Sequence, residues 1–334
     1  YPEARYFGFH PNDMDLNNLN TLRDAELAAD PGFRNPYVDQ SAPASGQYYT
    51  ATLVFTSPPE RPQPNTSYVG ERKLGGANQF VMNLLRMYHV DSGNRPGSGS
   101  VPLPSLKIYD AAGNSTLEFP ECDLFKSGPD VVQSRRRFPA LPVIDHRAKK
   151  QPKWSTSSNF EAQSDTLANA DVQYLSTHYS SRFGELLVIR GKFLSAPDTR
   201  AGASPAMDSQ VRLYNVCNYN FWNGSANQCL LDNELIRDSE DFYTLVISTI
   251  EDRPENTNES SATWLDWGPY LDGQVSFRYV YRDNPFVQAI AAGVRGEPVT
   301  PGLAIYVPQA AHCDKKTFEQ GGWLACLDAN SNVY

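Results

Sequence analysis

Long hydrophobic runs are absent from the sequence. No stretch approaches the roughly 18 consecutive apolar residues of a membrane-spanning helix, so we expect no transmembrane segment. Charge is scarce as well, since charged residues make up only 20% of the 334 residues. The 29 Lys+Arg and 38 Asp+Glu give a net charge of −9, which argues against a protein that binds nucleic acid phosphates.

Motifs of familiar enzymes are missing too. There is no Gly-x-Ser-x-Gly serine-hydrolase motif, and the nearest segment, residues 96–100, has a different spacing. No Cys-x-x-Cys spacing marks a zinc site, and the five histidines are dispersed. A loop metal site at His10, Asp13 and Asp15 is conceivable, but an Asx-rich turn is the simpler interpretation. The sequence therefore favours a non-enzymatic role without a cofactor, and enzymatic activity stays open.

Apolar and aromatic residues are plentiful, at 40% and 12% of the chain, so we expect a folded globular protein. Runs of β-branched and aromatic residues predict strands at residues 50–56, 186–190, 243–248 and 275–281. Helical patterns are few; they fall at residues 20–29, at residues 286–294 and after Cys313. The sequence therefore predicts an all-β chain.

The chain also repeats itself. Residues 49–56 resemble 243–249, residues 83–91 resemble 275–283, residues 104–109 resemble 301–306, and residues 5–9 loosely resemble 212–216. Arg61 and Arg86 are separated by 25 residues, as are Arg253 and Arg278. A repeat of this length indicates two related domains rather than a solenoid. We predict two tandem duplicated antiparallel β-sandwich domains of jelly-roll type, with few short helices.

The predicted domains are residues 1–124 and residues 185–334, the second with two local disulfides. Residues 125–184 are unlike either repeat; they are basic at first and then rich in Ser and Asn. We interpret them as a connecting arm. The arm either is solvated or docks on an acidic neighbouring subunit or an acidic polysaccharide.

Four of the five cysteines form two pairs close in sequence, Cys217/Cys229 and Cys313/Cys326. Asn223 and Gly224 form a hairpin-turn signal midway between the first two, so a hairpin would bring their thiols together. The second pair encloses a predicted helical turn that ends at glycine. We predict two disulfides, each contributing about 3 kcal/mol. Buried free thiols of a cytosolic protein are the alternative, and Cys122 is left to crosslink subunits or to be buried.

Four Asn-x-Ser/Thr sequons lie in polar, turn-like segments, at Asn65, Asn114, Asn223 and Asn258. Oligosaccharides are tolerated in such segments, so we predict glycosylation at these positions. Together with the local cysteine pairs, the sequons predict a secreted protein. Residues 1–5 fit a mature N-terminus after removal of a signal peptide.

One aromatic and acidic segment is the best candidate for ligand binding. Its candidate residues are Trp264, Asp266, Trp267 and Tyr270. Sugar rings stack on flat indoles while neighbouring acids accept hydroxyl hydrogen bonds, so this segment, residues 264–272, predicts a carbohydrate site. Packing of either indole in the core is the competing interpretation. For sugar cleavage, paired acids would come from Glu121, Asp123, Asp266 and Asp272, and the sequence places no pair.

Residues 169–174, Asn-Ala-Asp-Val-Gln-Tyr, precede the strand Gly-Glu-Leu-Leu-Val-Ile-Arg-Gly-Lys at residues 184–192. This combination resembles a set of uncharacterised secreted β-sandwich proteins, mostly bacterial, although Ala170 replaces their proline. The resemblance covers residues 169–229 and the start at residues 5–9. It implies a secreted β-sandwich fold and no agreed activity, so no catalytic residues are carried over.

These observations predict a secreted glycoprotein that acts as a structural or assembly subunit of an extracellular filament or surface layer. Duplicated domains, open edge strands and few convergent titratable groups fit self-association. The alternative is a secreted carbohydrate-binding or carbohydrate-cleaving protein that uses residues 264–272. Expected partners are further copies of the chain or a polysaccharide, and no nucleic acid.

Overall fold

The computed structural model describes residues 1–39, 41–43, 46–90, 99–119, 148–157, 169–199, 203, 209–220, 226–257, 261–281 and 284–331. These residues form two compact units. The first unit holds the described residues of Tyr1–Val131 and of Pro197–Met207, together with Asn169, and the second unit holds the remaining ones. The boundaries that the sequence predicts, at residues 1–124, 125–184 and 185–334, stay a prediction.

Strands dominate both units. They are β1 (Ala4–Asn12), β2 (Leu22–Arg23), β3 (Thr52–Val54), β4 (Thr66–Tyr68), β5 (Met82–Val90), β6 (Leu106–Tyr109), β7 (Ser115–Phe119), β8 (Ser155–Ser157), β9 (Val172–Ser180), β10 (Leu186–Lys192), β11 (Leu213–Tyr219), β12 (Ala226–Leu231), β13 (Phe242–Ser248), β14 (Thr263–Asp266), β15 (Asp272–Val280) and β16 (Gln309–Cys313). The α-helices in the described residues are α1 (Pro285–Val294), α2 (Pro301–Ala304) and α3 (Lys315–Ser331), the last interrupted at Gly322. The chain is therefore all-β in class, as predicted.

Two of the three predicted helices are confirmed, α1 and α3. Asn284 caps α1 by accepting a hydrogen bond from the Phe286 N–H, and Pro285 begins the helix, where its missing N–H costs nothing. The helix predicted at residues 20–29 is wrong. That segment forms β2 and a turn instead, because its apolar residues pair with and pack against β1.

The first unit is built on a three-stranded antiparallel sheet with the strand order β2-β1-β5. Alternate residues of β1, Phe7 and Phe9, pack in a core with Leu27 and Tyr37, and Met87 of β5 packs against the same core. The parallel pair β3-β4 and the hairpin β6-β7 are separate two-stranded sheets.

The second unit consists of two sheets that share one core. The strand orders are β12-β11-β15-β9-β8 and β14-β13-β10-β16. Alternate residues of β15, Val275 and Phe277, meet Leu187 and Ile189 of β10 in this core, while α1 adds Ile290. Strand β9 lies in the segment predicted as a connecting arm, and it pairs with β15 along nine residues.

Helix α3 covers the outer face of the four-stranded sheet. Phe318 of this helix packs with Leu186, Val188 and Val246 in a second apolar cluster, and Trp323 lies against it. The disulfide Cys313–Cys326 joins α3 to β16. The cluster therefore depends on a helix that is held both by packing and by a covalent bond.

Two sequence expectations fail in detail. The pairs β3-β4 and β13-β14 are parallel, whereas the sequence predicts antiparallel β-sandwiches. Residues 104–109 and 301–306 look alike in sequence but differ in structure. The first block contains β6, which pairs with β7 across a tight turn, whereas Pro301 is the first residue of α2.

Other features recur in both units with the same register. In the first, Gly8 of β1 pairs with Arg86 of β5. In the second, Asn215 of β11 pairs with Arg278 of β15. Gly8 follows a buried arginine, Arg5, by three residues, and Asn215 follows the buried Arg212 by the same interval.

A buried carboxylate recurs as well. Asp24 Oδ2 accepts a hydrogen bond from the Phe7 N–H at 3.2 Å, and Asp232 Oδ2 accepts one from the Tyr214 N–H at 3.1 Å. Both aspartates begin a turn after a short strand, in the segments Leu-Arg-Asp-Ala-Glu-Leu (22–27) and Leu-Leu-Asp-Asn-Glu-Leu (230–235). Both segments have the pattern Leu-x-Asp-x-Glu-Leu, which lies outside the predicted repeat blocks.

Candidate functional site

The predicted carbohydrate segment begins at β14. Trp264 is half-buried, and its indole N–H donates a hydrogen bond to Ser248 Oγ at 2.9 Å. The guanidinium of Arg253 lies over the same ring, 4.8 Å from its centroid. One face of this indole is therefore covered by an arginine of the same chain.

Trp267 is part of the core. Its side chain is only 3% exposed, its ring meets Tyr179 edge to face at 4.3 Å, and its indole N–H donates to the Tyr270 carbonyl at 2.9 Å. Tyr270 is itself buried. Asp266 Oδ1 accepts a hydrogen bond from the Gly268 N–H at 3.0 Å and so stabilises the turn after β14. Carbohydrate binding by this segment stays a prediction.

The structure brings together a polar cluster that the sequence did not indicate. His312 of β16 is 2% exposed; its Nε2 accepts a hydrogen bond from the Ser180 N–H at 3.2 Å. The Nδ1 of the same ring lies 2.9 Å from the Lys150 carbonyl, to which an Nδ1–H donates. The imidazole therefore bridges three separate segments. No local motif links positions 180 and 312, so only the fold shows the contact.

Serine, histidine and aspartate meet here without the geometry of a catalytic triad. Ser180 Oγ accepts a hydrogen bond from Arg182 Nε at 2.9 Å rather than facing the imidazole. Asp272 Oδ1 lies 3.7 Å from Arg182 Nη2, and the imidazole Nδ1 lies against the Lys150 carbonyl. A triad requires the base to bond the serine hydroxyl, whereas here the imidazole Nε2 accepts from the backbone N–H of Ser180.

The His312 bridge gives a pH dependence to stability. Burial lowers the pKa of the His312 imidazole below its ordinary value of 6.5, although the bond to the Lys150 carbonyl opposes this shift. The unfolded chain therefore binds a proton at a higher pH than the folded chain does. We expect stability to fall as the pH drops below about 6.5, by at most about 1.4 kcal/mol per pH unit from this group.

Urea unfolding at a series of pH values checks this expectation. The variant His312→Gln keeps a donor and an acceptor in the side chain but does not titrate. Its stability should lack the component that the wild type loses below about pH 6.5. Equal pH profiles for the two proteins would contradict the assignment.

The conceivable loop metal site at His10, Asp13 and Asp15 is a turn. Asp13 Oδ1 accepts hydrogen bonds from the N–H groups of Asp15 and Asn17 at 2.9 and 3.0 Å, and its Oδ2 accepts from the Lys73 N–H. Within the part of the chain that the structure describes, no three His, Cys, Asp or Glu side chains are grouped to hold a metal ion.

Two of the four predicted glycosylation sites can be placed. Asn65 Nδ2 donates to the Ala28 and Thr50 carbonyls, and its Oδ1 accepts from the Ala28 N–H. Asn114 lies at the exposed turn between β6 and β7, where its Nδ2 donates to Asp110. Asn223, Asn258 and the odd cysteine, Cys122, lie outside the described residues. Glycosylation at all four sites stays a prediction.

Both predicted disulfides are confirmed. Cys217 and Cys229 lie directly opposite each other on the antiparallel strands β11 and β12, with their Cα atoms 4.0 Å apart. Cys313 and Cys326 join β16 to α3. In the described residues, no helix is long and apolar enough to cross a membrane.

The hairpin β6-β7, here called the ribbon, has an apolar face that is open to solvent. Every one of its strand residues is exposed. The cross-strand pairs Leu106/Phe119 and Ile108/Leu117 place four apolar side chains on one face, each 42–51% exposed. The opposite face carries an ion pair, Lys107–Glu118, at 3.1 Å. The sequence gave no sign that the apolar face of this hairpin is open to solvent.

Comparisons with known proteins identify no function. No protein-family model matches the chain, and no curated protein matches it. An uncharacterised protein from Burkholderia cenocepacia is similar in structure, with a TM-score of 0.45 and 14% identity over 91% of this chain and 68% of that one. The VPA0106 protein from Vibrio parahaemolyticus has a TM-score of 0.39 and 10% identity over 92% and 82%.

Proposed function

We propose that the protein is a secreted, non-enzymatic glycoprotein that acts as a structural subunit and self-associates into oligomers or filaments. The ribbon is the observation that carries this proposal. Isolated two-stranded hairpins are marginally stable in water, and they need a further strand or a packing partner for independent stability. An exposed apolar face on such a hairpin marks an interaction surface.

A second copy of the chain is the partner that best fits the ribbon. Two ribbons related by a two-fold axis present the same four apolar side chains to each other, as an isologous contact requires. The ribbon strands carry one positive and one negative side chain, Lys107 and Glu118, so they add no net charge to a chain of −9. The apolar faces can therefore approach without the repulsion that the chain's net charge creates elsewhere.

The energy of this contact is modest. Burying a half-exposed aliphatic or aromatic side chain contributes about 1 kcal/mol, so eight such side chains contribute about 8 kcal/mol. Association costs about 4–15 kcal/mol in lost freedom of motion. One ribbon contact is therefore weak, and a stable assembly requires at least one more contact.

The disulfides and the repeated features of the two units also support the proposal. Disulfides persist in oxidising compartments, and the two in this chain fit a secreted protein. The shared strand register and the equivalent Asp24 and Asp232 contacts support the proposed duplication of the two units.

Mass photometry of the natively isolated protein tests the proposal. We expect particles larger than one chain for the wild type. The double variant Ile108→Lys, Leu117→Glu replaces a cross-strand apolar pair by an ion pair at constant net charge. It should weaken association about a thousandfold, because about 4 kcal/mol of apolar burial per contact is lost.

A matched control uses the other face of the ribbon. The exchange Lys107→Glu, Glu118→Lys also keeps the net charge, and it should leave assembly unchanged. Two results would count against the proposal. One is a uniform monomer for the wild type, and the other is unchanged assembly of the Ile108→Lys, Leu117→Glu variant.

A further inference from the structure

Strand β5 differs from its counterpart β15 in one respect. In the second unit, β15 pairs with β11 on one side and with β9 on the other, from Asp272/Ser180 to Val280/Val172. In the first unit, β5 pairs with β1 in the same register as β15 with β11. Among the described residues, no strand pairs with the other side of β5.

Strand β5 is long, and its side chains are sorted by type between its two faces. The strand has nine residues, and all except Asn83 are half-buried. Leu85 and Met87 face the core, whereas Arg86 and Tyr88 lie on the opposite face. A partner strand would thus continue both a core face and a polar face. Edge strands of this length are ready templates for pairing with another chain.

We propose that β5 is an assembly edge, at which the β5 strands of two copies pair antiparallel about a two-fold axis. This inference rests on the proposed self-association and assigns it a second contact. Two-fold symmetry makes the two strands antiparallel, which is the sense in which β9 pairs with β15.

The structure also favours one register for this pairing. In the second unit, Arg278 lies opposite Tyr174 of β9, and its guanidinium stands 5.8 Å from the centre of that ring. Pairing Met87 with Met87 of the second copy places Arg86 opposite Tyr88 in both directions. The arginine–tyrosine contact of the second unit is then reproduced twice, and the core-facing residues stay on one face.

This contact differs from the ribbon contact and adds to it. A single two-fold contact ends at a dimer, because each copy uses the same surface on both sides. Two different two-fold contacts on one chain link each copy to two neighbours. The β5 edge and the ribbon together thus provide the two contacts that an extended assembly requires.

Cysteine crosslinking tests the register. The chain offers a precedent, since Cys217 and Cys229 lie directly opposite on neighbouring antiparallel strands and form a disulfide. In a Cys122→Ser background, Met87→Cys should shift from the mass of one chain to that of two on a non-reducing gel after mild oxidation. Asn83→Cys, on the same strand and the same face, lies opposite position 91 in this register and should stay at the mass of one chain.

Each outcome has a defined meaning. Crosslinking of Met87→Cys alone supports the proposed pairing. Crosslinking of both variants overturns it. Crosslinking of neither variant, in protein that retains its two native disulfides, overturns it as well, and is the result expected if another segment of the chain covers this edge. If Met87→Cys crosslinks but the ribbon variant assembles like the wild type, the edge contact stands and the ribbon proposal fails. If Met87→Cys does not crosslink but the ribbon variant fails to assemble, the ribbon proposal stands and the edge proposal fails.

Discussion

Replacing Asp232 with alanine is expected to lower the free energy of unfolding by about 3 kcal/mol. The carboxylate is 6% exposed and accepts a hydrogen bond from the buried Tyr214 N–H at 3.1 Å. Alanine leaves that N–H without its acceptor in the interior, and a buried donor that loses a charged partner costs more than one that loses a neutral partner. Asp232→Asn retains an oxygen acceptor and should recover part of the loss.

The same turn provides a control. Glu234 also accepts a backbone hydrogen bond, from the Leu231 N–H at 2.8 Å, but its side chain is exposed. Glu234→Ala should therefore cost well under about 1 kcal/mol, because water replaces the lost acceptor. Urea unfolding followed by circular dichroism measures both variants. A loss for Asp232→Ala no larger than that for Glu234→Ala would show that the buried carboxylate does not support the fold.

The equivalent substitution in the first unit extends this test to the duplication. Asp24 is fully buried and accepts a hydrogen bond from the Phe7 N–H, as Asp232 does from the Tyr214 N–H. If the units are duplicates, Asp24→Ala and Glu26→Ala should reproduce the large and small effects of Asp232→Ala and Glu234→Ala. Amide exchange localises each effect to its own unit.

Loss of the Cys313–Cys326 disulfide is expected to have a second large effect. The bond closes a loop with a sequence separation of 13, and removal of a disulfide that closes such a loop costs about 3 kcal/mol on the chain-entropy model. The double variant Cys313→Ser, Cys326→Ser leaves α3 attached to the sheet by packing alone. Opening of α3 then exposes Leu186, Val188 and Val246, so we expect faster amide exchange in α3 and in β10.

The other disulfide is a matched comparison. Cys217–Cys229 has a sequence separation of 12, so the chain-entropy model predicts a similar loss of stability for Cys217→Ser, Cys229→Ser. Its cysteines lie on strands that are already paired by backbone hydrogen bonds. Local opening should therefore be smaller than in the Cys313→Ser, Cys326→Ser variant. Equal exchange rates of α3 in the two variants would show that packing alone holds this helix.

Parts of this structure could be predicted because they follow from local patterns. The strands at residues 186–190, 243–248 and 275–281 are continuous apolar or alternating runs, and the structure has β10, β13 and β15 there. The helix predicted at residues 20–29 failed because its spacing of apolar residues serves pairing with β1 instead. The local spacing of apolar residues does not distinguish a helix from a strand when pairing with a neighbouring strand decides between them.

The candidate sites depended on long-range placement and were less predictable. Trp264 and Trp267 are three residues apart, yet one is half-buried under Arg253 and the other is in the core. The contact of His312 with Ser180 joins residues that are 132 positions apart. The exposure of Ile108 depends on the absence of a covering element among the described residues, which sequence periodicity does not report.

The turn of the ribbon has a consequence for how precisely two ribbons would align. Flat apolar faces of short hairpins slide past each other easily, because one methyl contact replaces another at little cost. Asn114 lies at the exposed turn, at the very end of this surface. An oligosaccharide attached there would collide with the neighbouring copy whenever the ribbons slid too far in one direction. The sequon would then act as a steric stop that sets the repeat distance of the assembly.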